Sequence, residues 1–237
     1  MGLLYKYRAC NDNTAQIFTT GCLHYSCRND FNDPYDSIVC IDKTREIYHE
    51  GVALTLDKKI KKINLLYDND KLEQIYQSTF DKIQIFCLSK NGRQIQMWAH
   101  YADNHTGLCL EFDDDLLCQS LGDMYVVHYL QEPYIVRLEQ PDELNENILF
   151  GILCTKEKGW EYEQEIRLLR SQQEGCENKN YPFDKKALKT IYFGSQCTKE
   201  SIDEYKSLCK KNGFEHVKFR QMVFANNGKF ELEAKEI

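Results

Sequence analysis

The sequence lacks the loops by which the common nucleotide- and acyl-handling folds are recognised. No Gly-x-Gly-x-x-Gly, no P-loop and no Gly-x-Ser-x-Gly occurs in its 237 residues. The usual dinucleotide cradle, phosphate loop and nucleophile elbow are therefore excluded. No apolar stretch approaches membrane-spanning length. Positive charge is not in excess either: the formal net charge is −7, which argues against general binding of duplex nucleic acid, since phosphates need a clustered basic surface. The basic run Asp57–Ile63 has apolar residues at helical spacing through Leu56, Ile60, Ile63 and Leu66, so its lysines are expected on a solvated helix face. Cys-x-x-Cys pairs are absent although the chain holds 11 cysteines. They are scattered, and Cys87, Cys109 and Cys154 sit inside apolar runs, as buried reduced thiols do. Met1–Arg8 has no charged region followed by an apolar core, and Lys6 stands where a myristoylation motif wants Ser or Thr. A cytoplasmic protein with no membrane partner is expected.

What is present is a well-distributed apolar content of 42%, enough for a core that needs no disulfide or metal staple. Strand signals at Leu3–Arg8, Leu23–Ser26, Ile83–Ser89, Gly107–Phe112, Tyr125–Tyr129, Gln164–Arg170, Thr190–Phe193, His216–Phe219 and Phe230–Ala234 are separated irregularly by helical ones. The helical signals fall at Thr14–Thr20, closed by Gly21, at Gln96–Ala102, at Pro141–Lys156, and at Lys199–Lys211, closed by Asn212-Gly213. This irregular rhythm favours α+β over a doubly wound sheet. No repeat or linker divides the chain, so one domain over 1–237 is expected, with a mostly helical insertion at about 45–81.

Three polar constellations stand out. Asn32-Asp33-Pro34-Tyr35-Asp36 follows closely on Tyr25-Ser26 and suits a tight Asx turn as well as a polar site. In Trp98–Gly107, helical spacing places Trp98, Tyr101 and His105 on one face and His100 and Asn104 on another. His100 and His105 are five apart, so the His-x-x-x-His zinc spacing is missing and no metal site is expected. In Trp160–Arg167, a strand beginning at Glu163 would aim Glu163, Glu165 and Arg167 to one face. Arg167 could then compensate the two acids, or the strand could be an edge with a solvated acidic face.

Together these elements resemble a widespread uncharacterised bacterial domain family often encoded near mobile and phage-defence genes. The resemblance runs through Leu4–Arg8, Ser26, Asn32–Asp36, Met97–Gly107 with Glu111, Trp160–Arg167 and Ile191–Gly194. The layout also resembles ADP-ribosyltransferase-like folds, which implies a split antiparallel β core with flanking helices and NAD as substrate. By that resemblance Arg8 or Lys6 would hold the pyrophosphate, Ser26 would orient the catalytic glutamate, and Glu165 would stabilise the oxocarbenium-like ribose. Glu163 would deprotonate an acceptor, Tyr25, Tyr35 or Tyr101 would stack on nicotinamide, and His100 or His105 would position the acceptor. Arg167 belongs to the same cofactor-binding set. The acceptor, a macromolecule or water, is left open, and a role in antiviral defence or as a toxin is implied. Two alternatives remain at this stage: a sensor that binds a ligand or phage component without chemistry, and a hydrolase or nuclease using His100, His105, Asp33, Asp36 and Glu111.

Overall fold

The computed structural model describes residues 2–42, 48–54, 60–66, 69–136, 146–171 and 178–237. The chain divides into two compact units. The first comprises Met1–Ser26, Gln84–Val127 and Gly159–Ile237, the second Cys27–Ile83 and His128–Lys158. The expected insertion at 45–81 falls within the second.

The first unit is organised by a mixed sheet of nine strands among the described residues. In spatial order these are Leu232–Glu236, Lys218–Phe224, Leu188–Phe193, Leu108–Asp113, Leu3–Arg8, Ile83–Ser89, Glu165–Ser171 and Met124–Val126, with Ser26–Cys27 pairing beside Ile83–Ser89. The α+β class is as expected, but the sheet is not purely antiparallel. Leu188–Phe193 and Lys218–Phe224 run parallel, because the helix Lys199–Lys211 lies between them and returns the chain to the same end of the sheet, as a parallel crossover requires. Leu3–Arg8 pairs along its whole length with Leu108–Asp113, whereas its register with Ile83–Ser89 is Tyr5↔Ser89. Beyond that point Lys6 Nζ donates to the Cys87 carbonyl at 2.8 Å.

Period-2 alternation separates two cores. Leu4, Phe86, Leu88, Leu108, Leu110, Phe112, Ile166 and Leu168 face the larger one with Phe18 and Tyr205 from the helices Asp12–Thr20 and Lys199–Lys211. Tyr7, Cys109, Tyr192 and Met222 face the smaller one, closed by Met97 and Trp98 of the helix Ile95–Tyr101. Each fully buried Leu or Phe contributes on the order of 1.5–3 kcal/mol. The helices are capped as their sequences dictate. Asn11 Oδ1 accepts from Thr14 N at 3.0 Å, and Gly21 ends that helix at φ 68°. Thr198 caps the longer helix, and Lys210 and Lys211 sit at its negative end.

In the second unit the helices expected over 45–81 are replaced in part. Tyr48–Leu54 and Ile60–Leu66 pair as an antiparallel ladder, and Asn69–Phe80 is the helix among the described residues of that stretch. Apolar residues at 60, 63 and 66 satisfy a helical period, but Gly51 and the β-branched Val52, Ile60 and Ile63 favour extended backbone. Asp57–Lys59 of the lysine run lie outside the described residues, and Ile60–Ile63 belong to the second of these strands, so the expected solvated helix face is not formed there. Glu146–Leu153 is helical, Thr155–Glu157 forms a strand parallel to His128–Leu130, and the start of that expected helix, at 141–145, lies outside the described residues.

Candidate active site

The segment Trp98–Gly107 is not one helix. It is helical to Tyr101 and then turns left-handed: Asp103, Asn104 and His105 have φ of 46°, 51° and 69°. Consecutive left-handed residues cost roughly 1–2 kcal/mol each, least for Asp, Asn and His. The turn is held by His105 N donating to Trp98 O at 3.1 Å, Gly107 N to Ala102 O at 2.8 Å and Thr106 Oγ1 to Asp103 O at 2.7 Å. Its outer side is fastened by Gln196 N to His105 O at 3.0 Å and Gly194 N to Gly107 O at 2.8 Å. A Cβ on Gly107 would collide with the Arg8 carbonyl, and one on Gly194 with the His105 carbonyl. The Asp-Asn-His-x-Gly and Phe-Gly elements are thus two halves of one backbone clasp.

His100 and His105 consequently have different surroundings. His105 stacks on the fully buried Trp98, with centroids 6.4 Å apart. Its Nδ1 has no hydrogen-bond partner, and burial lowers its pKa. His100 is exposed, with its ring 6.3–6.4 Å from those of Tyr101, Trp160 and Tyr162.

The strand expected from Glu163 starts at Glu165. Glu163 closes a 3-10 turn, Lys158–Glu163, and Gln164 at φ 47° breaks the alternation between the two acids. Tyr101 Oη donates to Glu163 Oε1 at 2.7 Å, and Ser89 Oγ to the Glu163 carbonyl at 2.6 Å. Glu165 and Arg167 do share a face, and Arg167 binds both carboxylate oxygens, Nε to Oε1 at 2.9 Å and Nη2 to Oε2 at 3.1 Å. Arg167 is 0% exposed, Glu165 4% and Glu163 3%. The strand lies between two others and is not a solvated edge.

Lys6, Cys87, Glu163, Glu165 and Arg167 form one electrostatic cluster. Burial pulls the Lys6 pKa down, Cys87 and both glutamates oppose that pull, and Arg8 adds to it. Burial, then the neighbouring Glu165, pushes the Cys87 thiol up. Desolvation also lowers Arg8, whose neighbour is Tyr205. Ser26 lies on the strand beside Ile83–Ser89. Tyr25 is absorbed by the larger core, its ring 5.4 Å from Phe86 and 5.0 Å from Tyr181. In the second unit, Asp33 Oδ1 accepts from Tyr35 N at 2.9 Å in an Asx turn. Asp36 is buried 3.3 Å from Lys156 Nζ, and Tyr35 is 71% exposed at the mouth of a cavity of about 310 Å³. The polar residues of that segment build its turn and its ion pair.

Residues 97–168 match the family model described as protein of unknown function (DUF2971). No curated protein and no solved structure matches the chain. The matched span is less than half of the chain. It opens at the Trp98 helix and closes just past Arg167, so it takes in His100, Tyr101, Glu163 and Glu165. Leu4–Arg8, Ser26, Asn32–Asp36 and Ile191–Gly194 lie outside it.

Among the described residues, the group of His, Cys, Asp or Glu side chains close enough to share a metal ion is Asp113-Asp114-Asp115, and it contains no histidine. No described helix is long and apolar enough to cross a membrane. Trp160 and Tyr162 stood in the Trp160–Arg167 constellation without a role, and Cys87 was expected only as a buried thiol; the structure sets the two rings beside His100 and Cys87 beside Lys6 and Glu165. Cys87 is signalled by alternation within Ile83–Ser89, which sets it opposite Phe86 and Leu88.

Proposed function

We propose that the protein binds NAD and cleaves its nicotinamide–ribose bond, passing ADP-ribose to water or to a macromolecule. The observation that carries this reading is the Tyr101–Glu163 hydrogen bond beside the His100, Trp160 and Tyr162 rings. A planar nicotinamide suits an aromatic rim. A carboxylate screened from water opposes the positive charge that builds on the ribose as nicotinamide departs with the bonding electrons. The acceptor oxygen then bonds the anomeric carbon, and its proton passes to a carboxylate. Glu163 takes the charge-stabilising role, because both oxygens of Glu165 are already held by Arg167; Glu165 and Ser26 act as positioning groups. Lys6 and Arg8 supply the cations for the pyrophosphate. NAD depletion of this kind would suit an antiviral or toxin role.

The test is incubation of the protein with nicotinamide-labelled and adenylate-labelled NAD, with and without cell lysate. Free nicotinamide or a labelled macromolecule is expected, and Glu163→Gln should lower the rate about 100-fold or more. The reading is lost if neither product appears or if Glu163→Gln is fully active. A second reading, ligand sensing without chemistry, is favoured by the closed Glu165–Arg167 pair. It predicts saturable NAD binding by calorimetry with no product formed.

A further inference from the structure

A second carboxylate buried in this sheet is Glu111, at 6% exposure. Strand register places it in a rank that crosses four strands, Tyr5↔Glu111↔Thr190↔Lys218, next to a second rank, Tyr7↔Cys109↔Tyr192↔Arg220. Tyr5 Oη and Tyr192 Oη both donate to Glu111 Oε2, at 3.1 and 2.7 Å. Burial, followed by the neighbouring Glu111, pushes the Tyr5 phenol up, and burial raises Tyr192 to about 12. Both therefore remain O–H donors, and their convergence on one oxygen leaves Oε1 as an acceptor without a donor among the described residues. A cavity of about 420 Å³ opens here, lined by Glu111, Thr190 and Tyr192 together with Lys189, Lys218 and Arg220. That volume lies within the range of small-ligand pockets.

The charges at its rim are unevenly compensated. Lys189 Nζ lies 3.4 Å from Asp113. Arg220 is half-buried, and although Glu236 is its cross-strand neighbour in register, no ion pair joins them. Lys218, two residues earlier on the same strand face, has no carboxylate partner among the described residues either. A half-buried guanidinium with no carboxylate partner is a ready partner for an anion, and a carboxylate oxygen deeper in the cavity accepts only from donors.

We infer that this cavity is a binding site for a phosphorylated sugar, with the phosphate on Arg220 and Lys218 and the sugar hydroxyls donating to Glu111 Oε1 and meeting the Thr190 hydroxyl. Glu111 also sets the specificity: it repels a bare anion that brings no hydroxyl to meet it. The site uses none of the residues assigned to NAD cleavage and stands or falls separately.

Calorimetric titration of the full chain with ribose 5-phosphate, ribose and inorganic phosphate tests the inference. Ribose 5-phosphate should bind saturably and more tightly than either fragment. Arg220→Ala and Glu111→Gln should each weaken it about tenfold or more, and Arg220→Ala should leave the thermal midpoint within about 2 °C, as a change at a surface charge does. Absence of saturable binding would overturn the site. So would binding that Arg220→Ala leaves unchanged, or inorganic phosphate that binds as tightly as ribose 5-phosphate.

Discussion

Two buried carboxylate sites in one sheet show how differently an acid can be kept out of water. Around Glu165 the compensation is a full positive charge: Arg167 occupies both oxygens, and both residues are buried. Around Glu111 it is two phenols on a single oxygen, with a cavity at the other. A guanidinium closes a carboxylate because its fork satisfies the acid's geometry as well as its charge. Phenols satisfy one oxygen and leave the acid able to accept again. The first site is therefore architecture, and the second is open to a ligand.

The sharpest way to break this comparison is to remove the cation. Arg167→Met should destabilise the protein by about 3–5 kcal/mol, because it removes the cation that holds both oxygens of the buried Glu165, whereas Glu165→Leu/Arg167→Met should recover most of that loss. Urea unfolding of the two variants measures it. A cost below about 1 kcal/mol for Arg167→Met would mean that Glu165 is not sealed. Glu111→Leu should cost less, about 1–3 kcal/mol, since it leaves two phenols without their acceptor but strands no charge. The same unfolding series ranks the two sites directly, and a reversed order would refute the distinction between them.

A third carboxylate, at the end of Glu111's own strand, refines the scale. Asp113 Oδ1 accepts from Leu116 N at 3.1 Å and caps the helix Asp114–Leu121. That hydrogen bond, assisted by Lys189 and opposed by burial, lowers its pKa from the usual 3.8. A depressed acid contributes stability that is present above its unfolded pKa and lost as pH falls through the folded one. Asp113→Ala should cost about 1 kcal/mol at neutral pH. Asp113→Asn, which keeps a capping oxygen, should instead flatten the loss of stability below about pH 4. Thermal unfolding followed from pH 6 to pH 3 separates the two effects.

The ends of elements were largely legible in the sequence. Gly21 and Asn212 sit where caps were expected, because a cap is a local hydrogen-bond requirement written into one or two residues, and the structure adds Asn11 and Thr198 at the opposite ends. The pairing of Glu165 with Arg167 followed from strand alternation in the same way. Two readings failed because helical spacing was read where the backbone is not helical. Residues 48–54 and 60–66 form a strand pair. The helix expected at Gln96–Ala102 is present as Ile95–Tyr101, but the shared faces read from helical spacing ran on to Asn104 and His105, although Asp-Asn-His before Gly107 offered a local signal for a left-handed turn. The Glu111 rank could not be read at all. Tyr5, Glu111, Tyr192 and Arg220 come from four strands, and only the register between strands brings them together.

The smallest expected effect carries the comparison over to a base. His105 is a titratable group with neither a counter-charge nor a donor: its Nδ1 is unpartnered, its ring lies on Trp98, and burial alone lowers its pKa from 6.5. Between the lowered folded value and the unfolded value, the unfolded chain holds more protons, so stability must rise with pH through that window and fall as pH drops below about 6.5. His105→Gln should therefore flatten the stability profile between pH 5 and 7. Thermal midpoints at half-unit pH steps decide the matter. If His105→Gln leaves the profile as it was, the imidazole stacked on Trp98 is not the buried neutral group, and the clasp it belongs to must be held by its backbone alone.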